Sequence, residues 1–188
     1  AIITSVSHES CVDRVEEVAR NIDADIIINV QGDMPFVSPA SLEQLIQPML
    51  ENESIDCTDM ISPIIDYDEI HNHNVVKVVK NLENDAIYYT RLPIPFSLKN
   101  SNNNVYYKQL GINSYRKKAL KRFTDLERTP LEMIESIDML RLIEHNLRIR
   151  TVINDEKTVG VDTSEDLQKA IDLMSKDKLF PKYMEPKN

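Results

Sequence analysis

Apolar and polar positions along the chain alternate between two periods. Short apolar runs of three to ten residues mark strands over 2–4, 25–30, 57–64, 75–81, 85–91, 106–115 and 148–153. Stripes with helical spacing mark helices between them. The first helix covers 13–21, with Val15, Val18 and Ala19 on one face. The second opens at Ser38-Pro39, serine as N-cap and proline at N1, and runs to about 51 with Leu42, Leu45, Ile46 and Met49 inward. A helical turn falls at 68–71 and a helix at 117–124. The longest helix is expected over 130–145, and a last one over 164–174, capped by Thr163 or Ser164 with acids in its first turn. Pro93 and Pro95 end the tyrosine-rich strand, a polar loop fills 99–104, and a lysine-rich tail follows 176.

Helices alternating with strands predict an α/β fold with a mixed, mainly parallel sheet. The near-continuous apolar run over 25–30 fits a parallel strand. The hairpin-like strands over about 75–116 suggest a small antiparallel lobe within a single domain of 188 residues. Segment 2–4 reads as a strand already under way, so the chain is expected to begin inside a domain with upstream strands absent. A net charge of −9 argues against nucleic acid as the partner, because phosphate neutralisation needs a basic surface. No apolar run approaches the ~20 residues of a membrane helix, and no secretory pattern opens the chain. Cys11 and Cys57 lack metal-ligand spacing and read as reduced cytosolic thiols.

The candidate chemistry begins at Asn29-Val30-Gln31-Gly32-Asp33-Met34-Pro35, where an apolar strand ends in a sharp turn. In open α/β sheets, sites gather at the carboxyl ends of strands. Gly160-Val161-Asp162-Thr163 repeats the pattern, and the chain holds only three glycines. Either aspartate alone reads as a turn or cap residue. Together Asp33 and Asp162 point to Mg²⁺, which takes few carboxylates and completes its shell with water and phosphate oxygens. His8-Glu9-Ser10-Cys11-Val12-Asp13-Arg14 opens a helix; it is either a plain N-cap with a surface ion pair, or places Ser10 and Arg14 at an anion. Lys77, between valines, and Arg91 are either a solvated strand face or a clamp for carboxylate or phosphate. Glu132, Glu135, Asp138 and Arg141 share a stripe, either solvated or at a substrate hydroxyl. No Gly-rich phosphate loop and no Ser-His-Asp or Cys-His arrangement is readable, and the four histidines lack zinc spacing.

Taken in order, these pieces resemble the 3-deoxy-manno-octulosonate (Kdo) cytidylyltransferase, or CMP-Kdo synthetase, family. To those above are added Val76-Lys77-Val78-Val79, Ala86-Ile87-Tyr88-Tyr89 with Arg91 and Pro93-Ile94-Pro95, Leu110-Gly111-Ile112 with Tyr115-Arg116, Pro130-Leu131-Glu132 with Glu135, and Leu140-Arg141. The resemblance implies a nucleotide-diphospho-sugar-transferase type, Rossmann-like sheet with a dimerisation lobe, and a cytoplasmic homodimer. It implies a reaction joining CMP from CTP to the sugar acid with loss of pyrophosphate, for lipopolysaccharide or capsule. Asp33 and Asp162 would hold Mg²⁺, Ser10 and Arg14 would meet the nucleotide, and Gln31, Lys77 and Arg91 would lie at the substrates. The chain departs from the family at Met34, and at Gln109, Asn113, Asp138 and Met139, where the resemblance places the sugar pocket, so a related 3-deoxy sugar acid is an alternative to Kdo. The family's triphosphate-gripping loop has no counterpart here, which leaves a non-catalytic fragment or a sugar-acid binding domain as further readings.

Overall fold

The computed structural model describes residues 1–8, 10–98, 104–156, 160–161 and 163–181. In chain order the elements are α1 (Cys11–Ala19), β1 (Ile26–Val30), α2 (Pro39–Glu51), β2 (Cys57–Pro63), α3 (Tyr67–His71), β3 (Lys77–Lys80), β4 (Ala86–Thr90), β5 (Tyr107–Arg116), α4 (Lys117–Asp125), α5 (Pro130–Glu135), α6 (Met139–Glu144), β6 (Ile149–Ile153) and α7 (Ser164–Met174). The helix N-caps follow the sequence. Ser10, Ser38 and Thr163 each accept a backbone N–H of the first turn, the first and third in capping boxes.

The strands form one six-stranded sheet in the order β4-β3-β5-β2-β6, with β1 also paired to β5. The expected mainly parallel sheet is not what forms. Among the described residues, β1–β5, β2–β5, β3–β5 and β3–β4 are antiparallel, and only β2–β6 is parallel. The cause lies in β5. It enters between β1 and β2 and runs against both, so these two strands, although joined through α2, are not neighbours. An apolar run does not encode which strand will lie beside it.

Two further expectations give way. The helix over 130–145 is broken into α5 and α6 at Ser136, whose φ of 53° is left-handed. Segment 2–4 is not a strand, and Ile2 and Ile3 are exposed. Residues 99–103 of the polar loop, and the tail from 182, lie outside the described residues.

The sheet is covered on both faces. Leu45 of α2 packs on Met60, Leu110 and Ile112. On the other face, Val12 and Ala19 of α1, Leu120 and Phe123 of α4, and Met139, Leu140 and Leu142 of α6 pack on Cys57, Ile61, Val78, Tyr89 and Tyr115. Strand alternation sets this division: Cys57 and Ile61 face the second layer, whereas Met60 faces α2.

Candidate active site

The apolar layer under α1 and α6 is interrupted by polar side chains at the centre of the sheet. In register, Asn29 of β1 lies beside Asn113 of β5, which lies beside Asp59 of β2. All three are buried. The Asn29 amide donates to Asn113 Oδ1 at 3.2 Å. Asp59 accepts from the Tyr89 hydroxyl at 2.9 Å and from Gln109 Nε2 at 3.2 Å.

A β-bulge brings Gln109 there. Asp59 pairs with Asn113 but Ile61 pairs with Gln109, so β5 uses four residue steps where β2 uses two. Gly111 sits inside this bulge at φ 70°, a conformation glycine adopts without a Cβ penalty. A Cβ there would also lie 3.2 Å from Gln31 Cγ. The bulge therefore lets Gln31, Gln109 and Asn113 share one neighbourhood. Gln31 Nε2 reaches Cys11 Sγ at 3.4 Å.

Cys11 opens α1, and Asp138 and Met139 open α6 across from it. The Tyr115 hydroxyl donates to Met139 Sδ at 3.6 Å. Between these helix ends lies an open cleft of about 600 Å³, lined by Ser10, Cys11 and Asp13 on one side and Ile137, Asp138 and Arg141 on the other. Burial pushes the Asp59 carboxyl up to about 7, against the hydrogen bonds from Gln109 and Tyr89 that favour its ionised form. Burial, and then the charge of Glu132, raises Asp138. Burial and Asp138 raise the Cys11 thiol, which leaves it a poor nucleophile.

Asp33 stands on the turn that leaves β1. Met34 N–H closes that turn on the Gln31 carbonyl at 3.1 Å, and Val161 N–H donates to the Asp33 carbonyl at 2.9 Å. Gly160 packs against Met34, a Cβ there lying 3.6 Å from its sulfur. The carboxylate of Asp33 is exposed, and among the described residues no side-chain partner holds it. Asp162 lies outside the described residues. Among the described residues no cluster of three or more metal-ligating side chains occurs.

The expected cations are engaged within the chain. Arg14 donates to Thr4 Oγ1 at 3.1 Å and to the Ser5 carbonyl at 2.9 Å. Lys77 is fully buried, and its ammonium donates to the carbonyls of Asn72, Val75 and Arg91 at 2.9, 2.7 and 2.6 Å. Burial, and then the Arg91 charge, lowers its pKa. Arg91 spans the carbonyls of Glu135, His73 and Ser136 at 2.8, 2.9 and 3.2 Å. It thereby holds the left-handed break between α5 and α6. Glu135 accepts from Thr90 Oγ1 at 2.7 Å and Arg91 N–H at 3.0 Å. Glu132 and Arg141 form a buried bidentate pair at 2.7 and 2.5 Å, with the guanidinium 4.4 Å above the Phe123 ring. Burial alone would raise Glu132, but the hydrogen bonds from Arg141 hold it below the usual range.

A cytidylyltransferase family model matches residues 1–152. The 3-deoxy-manno-octulosonate cytidylyltransferase of Christiangramia forsetii is 42% identical over 170 residues, covering 89% of this chain and 68% of that protein. The chain belongs to this family. The Kdo cytidylyltransferase of Chloroherpeton thalassium is 38% identical over 178 residues, covering 94% of this chain and 72% of its own. A solved CMP:2-keto-3-deoxy-manno-octonic acid synthetase complexed with CTP superposes with a TM-score of 0.86 at 37% identity, over 94% of this chain and 72% of that one.

Within this Kdo cytidylyltransferase scaffold, the structure brings Gln31, Gln109 and Asn113 together on the sheet, with Asp138 and Met139 opposite. Ser10 lines the same cleft while capping α1. Lys77 and Arg91 are held one strand pair further out. Asn29, Asp59 and Tyr89 join the polar group without having been singled out in the sequence. Asp59 carried a signal: a lone acid in an apolar strand, two positions from Cys57 and from Ile61, must face the same packed layer as they do.

Proposed function

We propose that this chain transfers CMP from CTP to Kdo or a related 3-deoxy sugar acid, releasing pyrophosphate, in the supply of lipopolysaccharide or capsule. The observation that carries the reading is the agreement, over nearly all of the chain, with a synthetase structure that holds CTP, at 37% identity. The sugar's anomeric hydroxyl attacks the α-phosphorus and pyrophosphate departs, so no covalent enzyme intermediate is needed. This chain's own contribution is to bind and orient. Gln31, Gln109 and Asn113 offer amides to sugar hydroxyls from a rigid sheet, and the cleft between α1 and α6 opens at Cys11, which Gln31 reaches.

Asp33 fits a Mg²⁺ ligand on the chemistry of the donor: an exposed, hard carboxylate on a tight turn, with Val161 clipped to its backbone and Asp162 next in sequence. In this reading Asp33 and Asp162 hold the ion, which when bound compensates phosphate charge and eases loss of the hydroxyl proton. Dimerisation belongs to the same reading. β4 ends the strand order, and Ile87, Leu92, Phe96 and Leu98 on it and just after it are exposed apolar side chains that a second copy would cover. Among the described residues no helix is long and apolar enough to cross a membrane; a cytoplasmic location accompanies the proposed substrates.

The test is pyrophosphate release with CTP, Mg²⁺ and a panel of 3-deoxy sugar acids including Kdo. Release with one of them names the substrate, and silence with all overturns the reading for this chain. Asp33→Asn is expected to abolish turnover while sugar-acid binding, measured calorimetrically, persists. Equal loss of both would refute the metal role.

A further inference from the structure

We propose that Asp59 is a positioning residue that sets which end of the Gln109 amide faces the sugar acid, and thereby makes sugar recognition depend on pH. The inference rests on the reading that Gln109 meets the sugar.

The geometry carries it. An ionised carboxylate only accepts hydrogen bonds. Asp59 Oδ2 is taken by the Tyr89 hydroxyl, and Oδ1 faces Gln109 Nε2 at 3.2 Å. With the nitrogen held by Asp59, the Gln109 oxygen is the atom left for a substrate, and Gln109 is only half-buried. On the neighbouring position, Asn113 Oδ1 accepts from Asn29, which leaves the Asn113 amide N–H₂ as the group it can donate to a substrate. The pair therefore offers one acceptor and one donor, the pattern that a single hydroxyl satisfies by accepting from Asn113 and donating to Gln109.

Protonation of Asp59 changes this. With Oδ2 still accepting from the buried Tyr89 hydroxyl, the proton sits on Oδ1, and Gln109 turns its oxygen inward to accept it. Gln109 now presents N–H₂, as Asn113 does, and a hydroxyl that accepts from both has lost the acceptor for its own proton. The ionisable groups around Asp59 are Cys57 on its own strand, Tyr89 on β4, Tyr115 on β5 and Asp138 ahead of α6. The thiol and both phenols are pushed well above their ordinary values by burial, so they stay neutral near pH 7. Asp138 is itself raised, and its charge adds to the resistance against ionising Asp59. The Asp59 midpoint of about 7 puts the change within the working range of an enzyme.

The experiment measures the sugar-acid KM at saturating CTP and Mg²⁺ from pH 6 to 8.5, in the wild type, Asp59→Asn and Tyr89→Phe. Titration of CTP is common to all three and cancels in their ratios. The wild-type KM is expected to rise about tenfold toward pH 6, the order of a mispaired buried hydrogen bond, with kcat little changed. Asp59→Asn should lack this rise, because its amide does not titrate, so the ratio of the wild-type KM to that of Asp59→Asn should climb toward pH 6. Tyr89→Phe removes a donor to the carboxylate and should move the midpoint to higher pH. An Asp59→Asn profile that keeps the wild-type slope overturns the proposal. A second arm needs no sugar: the carboxyl carbon-13 resonance of Asp59 is followed with pH in the wild type and in Gln109→Leu. Loss of the Gln109 donor should raise the midpoint, and an unchanged midpoint overturns the pairing. If no sugar acid is turned over, the functional reading fails while this second arm still decides the pairing.

Discussion

Gly111 links backbone strain to the site, and substituting it separates the two. In Gly111→Ala the new Cβ would sit at φ 70° and 3.2 Å from Gln31 Cγ. The left-handed backbone costs about 1–2 kcal/mol for an alanine. The contact is with the inner part of the Gln31 side chain, so the whole side chain must swing, at about 0.5–1.5 kcal/mol for an off-rotamer angle. Swinging also breaks its bond to Cys11. The expected loss is therefore about 2–3 kcal/mol in the wild-type background and about 1–2 in a Gln31→Ala background, where only the backbone cost remains. Urea unfolding of the four chains closes the cycle, with the m-value as the check that compactness is unchanged. A coupling near 1 kcal/mol supports the close approach, whereas an equal loss in both backgrounds refutes it. Gly111→Asn adds a control, because asparagine tolerates the left-handed region but keeps the Cβ. Its loss should be smaller than that of alanine in both backgrounds, with the coupling intact.

Lys77→Met leaves three part-buried carbonyls without their donor and should cost about 2–3 kcal/mol in thermal or urea unfolding. Unchanged stability with a raised CTP or sugar KM would instead restore a clamp. Arg141→Leu leaves the buried Glu132 carboxylate to the more exposed Arg128 and the Thr129 N–H and should cost roughly 3 kcal/mol, much of it recovered by adding Glu132→Gln; no recovery in the double variant would count against the pair. Asp59 provides the pH test of stability. Its folded pKa of about 7 lies above the ordinary carboxyl value, so between the two the folded chain binds the extra proton and stability falls as pH rises. From pH 5 to 8, Asp59→Asn should gain about 2–3 kcal/mol on the wild type in urea unfolding, and a pH-independent difference would show that the buried carboxyl titrates normally.

Local periods placed most elements within two residues, and the cap Ser38, with Thr163 as one of two choices, was readable because capping is decided by three or four neighbouring residues, whereas the first helix starts two residues earlier than read, capped by Ser10. The sheet's direction was not, because it depends on where β5 inserts, a long-range choice that leaves no mark on the apolar runs of β1 and β2. The break at Ser136 was hidden for a related reason. Leu131, Ile137, Leu140 and Ile143 keep nearly helical spacing across it, and what stabilises the left-handed turn is Arg91, forty-five residues away, on the Ser136 carbonyl. The resemblance singled out Gln31, Gln109 and Asn113, which lie on β5 or at the turn after β1 in the structure. Asp59 was overlooked because a strand pattern with one acid reads as an imperfection until its neighbours are known.

Lys77 and Arg91 show how the same residue types serve a different end. A cation inside an apolar strand pair invites a bound anion as its explanation. The sheet here has its own unmet acceptors, because the chain turns sharply at 72–75 and again after β4, and backbone carbonyls aimed inward at those turns need donors as urgently as a phosphate would. A lysine with three protons and an arginine with a planar fork meet that need at single positions. Their charge also survives burial more readily when spread over several carbonyls than it would beside nothing. By fixing the ends of β3 and β4 and the break before α6, these two cations hold the strand that carries Tyr89, the donor to Asp59, and the turn that leads to Asp138. On the proposed reading, substrate selection is then made by neutral amides on the bulged strand, whose polarity is set by one buried carboxyl.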